Sequence, residues 1–544
     1  MDQEQYSILV ARLEEFARRN PAGYKLRVAA LALLGYLYIF LVVVILLGLI
    51  LFVVLYGFIN FLTIKILLIL GALILIALRS LWVKIPVPDG YEIKSVEAPE
   101  LFDLIAEAAK TLDAPRVHHI LLSGDFNAGI IQVPRLGVLG WQRNYLVLGW
   151  PLMNALSSDE FRAVLAHELG HLSGNHGRFA SWIYRVRQTW IQLLVNLQRE
   201  KRRGAFIFER FLDWYAPYFT AYSFVLARSH EYEADRSAIE IAGREHAASA
   251  LINLEVKGRL LEEKLFPELF ERAVREAAPP AAAYTQMYVA LRSAVPVRET
   301  EQWLSDALRV RTSTDDTHPA LAERLAAMGV VKEAKGGEAP ALELTFNITE
   351  KEASAAEVYL SGVGAQSTSA LERLWRERIA PGWRERFRRA GKARQTKQKL
   401  EAKAEREPLT IEERWTLAQC QAGIGDTEAA RAQVEAILEA EPNHIGANFA
   451  MGQMLLEQGE TAGIERIERA MEKEPQSVIA GCEAIFKFLR RQERDAEAER
   501  YRTRAIEHNE LIKRAQDERR TIYPRDQFQP HGLSETGSKR CASS

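Results

Sequence analysis

The stretch DEFRAVLAHELGHL, residues 159–172, decides how the rest of the sequence is interpreted. Its apolar residues recur at helical spacing, which predicts a helix. On a helix, His167 and His171 are four positions apart and therefore face the same way. Two imidazoles at this spacing can bind one zinc ion through ring nitrogens about 2.0–2.1 Å away. A pair of structural histidines on a packed helix is the alternative interpretation.

Glu168 lies one step round the predicted helix from His167. This position is beside the open coordination position of a metal ion rather than on the ion. There a carboxylate can accept a proton from a water molecule, whose pKa zinc lowers to about 7. The sequence therefore predicts that Glu168 is a general base.

A catalytic zinc ion needs a third protein ligand, and His176 is the nearest candidate in the sequence. The metzincin pattern H-E-x-x-H-x-x-G-x-x-H accepts Gly174 but requires a histidine where this chain has Gly177. On a continued helix His176 would lie about 140° round from His171 and face away. The metzincin interpretation therefore fails by one residue.

Glu231, in the segment ARSHEYEADRSA (residues 227–238), is the better candidate. Glu231 and Asp235 are four positions apart and share a helix face, so Glu231 would complete a set of two histidines and one glutamate. Asp235 would then accept a hydrogen bond from the ring nitrogen of His167 that does not bind the metal, which fixes its tautomer. A charged helix surface is the alternative for both acids.

Composition excludes several classes of function. The 544 residues contain 70 Lys and Arg and 71 Asp and Glu, a net charge of −1, so no basic field supports nucleic-acid binding. Three scattered cysteines indicate neither a disulfide framework nor a thiolate zinc site, and they fit a reducing compartment.

Two apolar runs near the N-terminus predict a transmembrane helical hairpin over residues 27–84. Ala29–Tyr56 has no charge and exceeds the about 20 residues that cross a bilayer as a helix. A second run covers Ile66–Leu78, and Gly57–Lys65 is predicted as the turn. More bases flank the hairpin than occupy its turn, so both ends should be cytoplasmic. No targeting segment for a eukaryotic organelle precedes the hairpin, and a bacterial inner membrane is the default location.

The soluble part is predicted to be mainly α with a small β-sheet. Strand-like runs cover Val117–Ser123, Gly129–Val133 and Asn144–Leu148, and helical patterns dominate afterwards. The predicted domains, in chain order, are a cytoplasmic N-terminal segment (1–26), the hairpin (27–84), a metallopeptidase domain (85–331), a linker with a basic helical region (332–405), tetratricopeptide-like repeats (406–515) and a disordered tail (516–544).

The repeats are predicted from a period of 34 residues, since Gly425-Asp426 recurs as Gly459-Glu460. Helix–turn–helix content at this period is typical of a tetratricopeptide α-solenoid. Such an array would offer a concave surface to a protein partner; simple packing onto the upstream domain is the alternative.

HELGH with the downstream E-Y-E-A-D resembles the gluzincin membrane metallopeptidases of the HtpX-like and type I CAAX prenyl protease group. The resemblance covers roughly residues 85–330 and includes Asn127-Ala128 before a strand and Thr317-His318-Pro319. It implies one zinc ion per chain, with His167, His171 and Glu231 as ligands.

The same resemblance implies roles for residues outside the ligand set. Glu168 would be the general base, and His318 would approach the site and donate a hydrogen bond to the oxyanion. Asn127 and Ala128 would bind substrate, because the strand around Phe126–Ile131 could pair with a peptide backbone.

The function predicted from the sequence is a membrane-anchored zinc metalloendopeptidase that hydrolyses polypeptides, in particular membrane or membrane-associated proteins, as in quality control. Its partners would be polypeptide substrates, the lipid bilayer and a protein bound to the repeats. The alternative is a membrane-tethered tetratricopeptide scaffold whose protease domain is inactive.

Overall fold

The structure is a computed structural model. It describes residues 3–58, 60–80, 86–134, 142–173, 179, 182–183, 186–187, 206–310, 312, 318–332, 341–342, 352–492 and 494–522.

Helices account for most of the described residues, as the sequence predicts. The α-helices of the first half are α1 Gln3–Arg19, α2 Pro21–Tyr56, α3 Phe61–Ser80, α4 Pro99–Thr111, α5 Trp150–Ala155, α6 Ser158–Gly170, α7 Phe206–Ala242, α8 Arg244–Arg259 and α9 Phe266–Glu271. Those that follow are α10 Ala283–Arg292, α11 Val297–Arg309, α12 Leu321–Ala327, α13 Ala355–Tyr359, α14 Gly364–Ala404, α15 Ile411–Gly423, α16 Thr427–Ala440, α17 Ile445–Glu457, α18 Ala462–Lys473, α19 Val478–Arg491 and α20 Asp495–Ile522. A π-helix covers Leu260–Leu265, and 3₁₀ turns cover Arg272–Val274 and Pro475–Ser477.

Three strands of a four-stranded mixed sheet lie where the strand-like runs predict them, and the fourth, Tyr91–Ile93, is not among those runs. Its strands are β1 Tyr91–Ile93, β2 His119–Ser123, β3 Ala128–Pro134 and β4 Gln142–Gly149, and their spatial order is β1-β2-β4-β3. β2 and β4 are parallel, and the two outer pairs are antiparallel. β3 is therefore an edge strand of this sheet. A further two-stranded ribbon pairs β5 Val331–Lys332 with β6 Ala341–Leu342.

The N-terminal helices α2 and α3 contact each other. The turn between them is shorter than the predicted turn, Gly57–Lys65. Asn60 Oδ1 accepts hydrogen bonds from the N–H groups of Leu62 and Thr63, at 3.0 and 2.9 Å. These bonds satisfy N–H groups at the start of a helix, so α3 begins at Phe61 and includes Lys65. Among the described residues, α2 is the helix long and apolar enough to cross a membrane, at 36 residues. The transmembrane arrangement itself stays a prediction.

The chain divides into two compact units, and the boundary on α14 falls between Pro381 and Gly382. Residues 1–270 and 279–381 form the first unit, which contains the sheet and helices α1 to α8. Residues 271–278 and 382–544 form the second. Within the predicted linker with a basic helical region (332–405), residues 333–340 and 343–351 lie outside the described residues, and the predicted domain boundaries stay predictions.

In the second unit, α15–α16, α17–α18 and α19–α20 form successive helix pairs. Gly425 and Gly459, 34 positions apart, both have a φ of +85°, which favours glycine in the turns between paired helices. Helix α20 continues to Ile522, inside the segment predicted as a tail. The tetratricopeptide assignment stays a prediction.

Helix α6 begins with a capping box and ends against α7. Ser157 Oγ accepts the N–H of Glu160, and the Glu160 carboxylate accepts the N–H of Ser157. At the other end, a Cβ on Gly170 would lie 3.1 Å from the Cα of Ala234 and 2.9 Å from the Cβ of Ser237. Because Gly170 has no side chain, α6 and α7 approach closely at this point.

We expect Gly170→Ala to destabilise the protein by about 1–3 kcal/mol, because the added methyl group forces the two helix backbones apart. Gly258→Ala is the matched control, since its Cβ would meet Phe126 at 3.6 Å, an ordinary contact. Alanine in a helix is favoured over glycine by about 0.5–1 kcal/mol, so the control should be as stable as the wild type or more so. Urea unfolding of both variants in detergent measures the difference; equal midpoints would contradict the expectation.

Candidate metal centre

Three side chains from α6 and α7 converge at their crossing. The Nε2 atoms of His167 and His171 are 3.3 Å apart, and each lies 3.6 Å from a different carboxylate oxygen of Glu231. The three candidate ligand atoms all lie within 4.8 Å of one another. Two imidazole nitrogens and a carboxylate oxygen are a donor set that zinc prefers in catalytic sites, so these residues fit the predicted ion.

Asp235 makes the contact that the sequence predicts for it. Its Oδ1 lies 3.0 Å from Nδ1 of His167, which leaves Nε2 of that ring directed at the cluster. Asp235 is one turn after Glu231 on α7, and both carboxylates are buried. The spacing of four residues thus directs both toward the same partner helix.

Glu168 follows His167 directly and is partly buried beside the cluster. Burial raises the pKa of its carboxyl to about 7, and the charge of Glu231 adds to this effect, whereas His167 opposes it. A carboxyl group with a pKa near 7 can both accept and donate a proton at neutral pH.

The protonation of the candidate ligands follows from their neighbours. Burial lowers the pKa of His167, but hydrogen bonds to Asp235 and Glu231 outweigh it and raise the pKa to about 9. Burial and the charge of His167 lower the pKa of His171 to about 4. Burial alone would raise the pKa of Glu231, but hydrogen bonds to His167 and His318 hold it well below its usual range. Metal binding would therefore displace a proton from His167.

His318 contacts the cluster through Glu231. Its Nδ1 lies 2.8 Å from Glu231 Oε2, and its side chain is 70% exposed. This hydrogen bond to Glu231 raises the pKa of His318. Its exposed remainder is open to solvent beside the ligand set.

Asn127 and Ala128 stand at the start of the edge strand β3, which contacts α6. The Asn127 carbonyl accepts the N–H of Gly149 at 2.8 Å, and Ala128 pairs in register with Leu148. Among the described residues, no hydrogen bond or ion pair joins Asn127 or Ala128 to the histidine cluster. Their role in substrate binding stays a prediction.

The rejected metzincin ligand, His176, lies outside the described residues, as do Gly174, Gly177 and Thr317.

Arg324, on α12, is a member of the site that the sequence analysis does not find. Its Nε donates to Asp235 Oδ2 at 2.9 Å, and its Nη2 donates to Asp235 Oδ1. Nη2 also lies 3.4 Å from Nδ1 of His167. Arg324 thus neutralises the carboxylate that orients His167. It is one of many arginines, 89 positions from Asp235, and no spacing distinguishes it.

Comparison with known proteins finds similar sequences over the part of the chain that contains this cluster. Residues 103–330 match the sequence profile of Peptidase family M48. The chain is 30% identical to "CAAX prenyl protease 1" of Saccharomyces cerevisiae over 141 residues, which are 21% of this chain and 31% of that protein. It is 27% identical to "Protease HtpX" of Acinetobacter baumannii over 160 residues, which are 24% of this chain and 53% of the relative.

A third relative is "Protease HtpX homolog" of Pyrococcus furiosus, which is 31% identical over 166 residues, 26% of this chain and 57% of the relative. The chain thus spans between 31% and 57% of the length of these relatives. No solved structure matches the chain. The matched region, residues 103–330, contains the helix with the HExxH pattern, Glu231 and His318, and this part of the chain is similar to Peptidase family M48.

Proposed function

We propose that this protein is a membrane-anchored zinc-dependent metalloendopeptidase that hydrolyses peptide bonds of membrane or membrane-associated proteins. The observation that carries the proposal is the convergence of His167, His171 and Glu231, with ligand atoms within 4.8 Å of one another. His167, His171 and Glu231 would hold one zinc ion per chain. When bound, zinc supplies Lewis acidity toward a peptide carbonyl and an attacking water molecule.

Glu168 moves the proton in this proposal. Its carboxylate takes a proton from the attacking water and later gives that proton to the amine of the leaving peptide, so it ends in its starting state. The pKa of about 7 supports both transfers. Its neighbour His167 is oriented by Asp235, and Arg324 keeps that aspartate ionised by bonding both of its oxygens.

His318 supports the site from the open side. Its N–H toward Glu231 orients the carboxylate, which is 6% exposed. A peptide carbonyl would lie at the exposed edge of the ring, where the Nε2–H group donates a hydrogen bond to the developing oxyanion.

The membrane part of the proposal rests on α2. Its uncharged run is longer than a bilayer requires, and its apolar side chains are largely exposed: Leu37, Phe40, Ile45, Phe52 and Leu55 are each at least half exposed. The flanking bases favour a cytoplasmic location of the peptidase and helix-pair units, at a bacterial inner membrane. The helix pairs would bind a protein partner.

The decisive variant is Glu168→Gln, which removes the proton acceptor and keeps the shape of the side chain. We expect it to lower cleavage of casein by about 10²–10⁴-fold, since general acid–base catalysis contributes that much. A metal chelator should abolish wild-type cleavage, and zinc should restore it.

Glu240→Gln is the matched control, because Glu240 is an exposed carboxylate on α7. It should cleave casein like the wild type. Full activity of purified Glu168→Gln would end the mechanism, and wild-type protein without chelator-sensitive cleavage would favour the inactive scaffold.

Metal content separates the ligand roles from the proton-transfer role. Glu231→Ala should lose zinc, and Asp235→Asn should bind it about 10–100-fold more weakly, since hydrogen-bond partners of ligating histidines tune affinity by that factor. Glu168→Gln should keep one zinc per chain. Elemental analysis after dialysis against graded chelator measures this; a Glu231→Ala protein that retains zinc would contradict the ligand set.

The orientation is tested separately. A fluorescent protein that folds only in the cytoplasm should be active when fused after Ser544, and a phosphatase active only in the periplasm should not. The opposite pattern would overturn the cytoplasmic placement without affecting the metal site.

A further inference from the structure

A groove of about 510 Å³ lies between α1 and the first half of α7, away from the metal centre. It is lined by Ile8, Leu9 and Arg12 of α1 and by Asp213, Trp214, Pro217 and Tyr218 of α7. Both helices belong to the first unit, and they pack with α2 in one hydrophobic cluster.

Contacts between α7 and α2 show where the groove lies along α2, and therefore at which level of a bilayer it would lie. The Tyr24 hydroxyl bonds the Tyr222 carbonyl, and the Tyr215 hydroxyl donates to the Leu31 carbonyl at 2.9 Å. Further along, the Phe211 ring stacks on Tyr38 at 3.8 Å. The two helices therefore run antiparallel, and the groove around Tyr215 lies level with Leu31. That level is two residues into the uncharged run that begins at Ala29, which is the surface of a bilayer spanned by α2.

The apolar lining of the groove is unusually open for a protein surface. Ile8 is 46% exposed, Trp214 is 54% exposed and Tyr218 is 40% exposed. Tryptophan and tyrosine are enriched at membrane–water interfaces, where their rings contact acyl chains and their polar atoms contact headgroups. This lining is suited to the upper part of a lipid acyl chain.

Two opposite charges share the groove without pairing. Arg12 and Asp213 are exposed, and among the described residues neither makes an ion pair or side-chain hydrogen bond, with each other or with a third group. Pro217, four positions after Asp213, supplies no N–H to the Asp213 carbonyl, which leaves another acceptor there. Arg12 suits a phosphate, and the acceptors at Asp213 suit an ammonium group.

We propose that the groove between α1 and α7 binds a zwitterionic phospholipid of the surrounding membrane. Its phosphate lies at Arg12, its ammonium group at Asp213, and its acyl chain along Ile8 and Trp214. The proposal rests on the membrane anchorage stated under the proposed function. Charge complementarity and the depth set by α2 select a lipid over a peptide.

The lipid would act on the helix that carries the metal ligand. Tyr215 and Glu231 stand on the same continuous helix, about 24 Å apart at 1.5 Å per residue. Lipid bound beside Tyr215 therefore holds α7 at the membrane surface and places Glu231 and Asp235 at a constant height above it.

Fluorescence quenching by brominated lipid tests the proposal on the full chain. Wild type and Trp214→Phe are reconstituted in phosphatidylcholine bilayers brominated near the headgroup end of the chain. Brominated lipid should quench the fluorescence of the wild type more strongly than that of Trp214→Phe, because the variant lacks the tryptophan in the groove. Trp303→Phe is the matched control, because Trp303 is buried in α11 and its emission should escape quenching. If the emission of Trp214 is quenched no more than the emission of Trp303, the proposal is overturned and protein covers the groove.

Bound phospholipid, counted as phosphorus per purified chain, tests the headgroup contacts. Arg12→Ala and Asp213→Asn should each retain less phosphatidylcholine than the wild type, whereas Arg18→Ala, exposed elsewhere on α1, should retain the wild-type amount. In phosphatidylglycerol, which has no ammonium group, Asp213→Asn should make no difference. Unchanged phosphorus in Arg12→Ala would overturn the headgroup assignment. None of these readouts uses peptidase activity, so failure here and failure of the proposed hydrolase are separate results.

Discussion

The close crossing of α6 and α7 is the contact on which the candidate metal centre depends. Gly170 removes the side chain that would hold the two backbones apart, and Ala234 is fully buried against it. His167 lies within one turn of this point and His171 directly follows Gly170 at the end of α6, and both face Glu231 on α7. Because a ligand set tolerates only small displacements, the small residues at the crossing matter as much as the ligands themselves.

Burying several charges in one place is costly unless each is paired, and the site meets this requirement by a chain of contacts. Arg324 bonds both oxygens of Asp235, Asp235 contacts His167, and Glu231 is shared between the histidines and His318. Glu168 alone keeps a carboxyl with a pKa raised to about 7. The same surroundings therefore favour ionised carboxylates at Glu231 and Asp235 and a proton-exchanging one at Glu168.

Helix α7 connects two environments that the sequence presents separately. Its first half carries exposed aromatic side chains at the level of Leu31, and its second half carries Glu231 and Asp235. In the sequence the E-Y-E-A-D segment is distinguished only by its local spacing, whereas the structure places it in one helix of 37 residues that begins at Phe206. The candidate metal centre and the exposed aromatic surface are consequently parts of one continuous helix.

The sequence by itself determined the features that depend on neighbours along the chain: the histidine pair at i and i+4, the strands around residues 119–123, 128–134 and 142–149, and the long apolar helix. Side-chain direction repeats with the local period, so these follow from spacing alone. It also suggested Glu231, 60 positions beyond His171, by the chemistry that zinc requires. Only the tertiary structure brought Arg324 to Asp235, and only it placed the Glu372 carboxylate on the N–H groups of Ala283 and Tyr284, 89 and 88 positions away. The tertiary packing determines which helix ends meet, and the local periodicity of the sequence carries no information about these contacts.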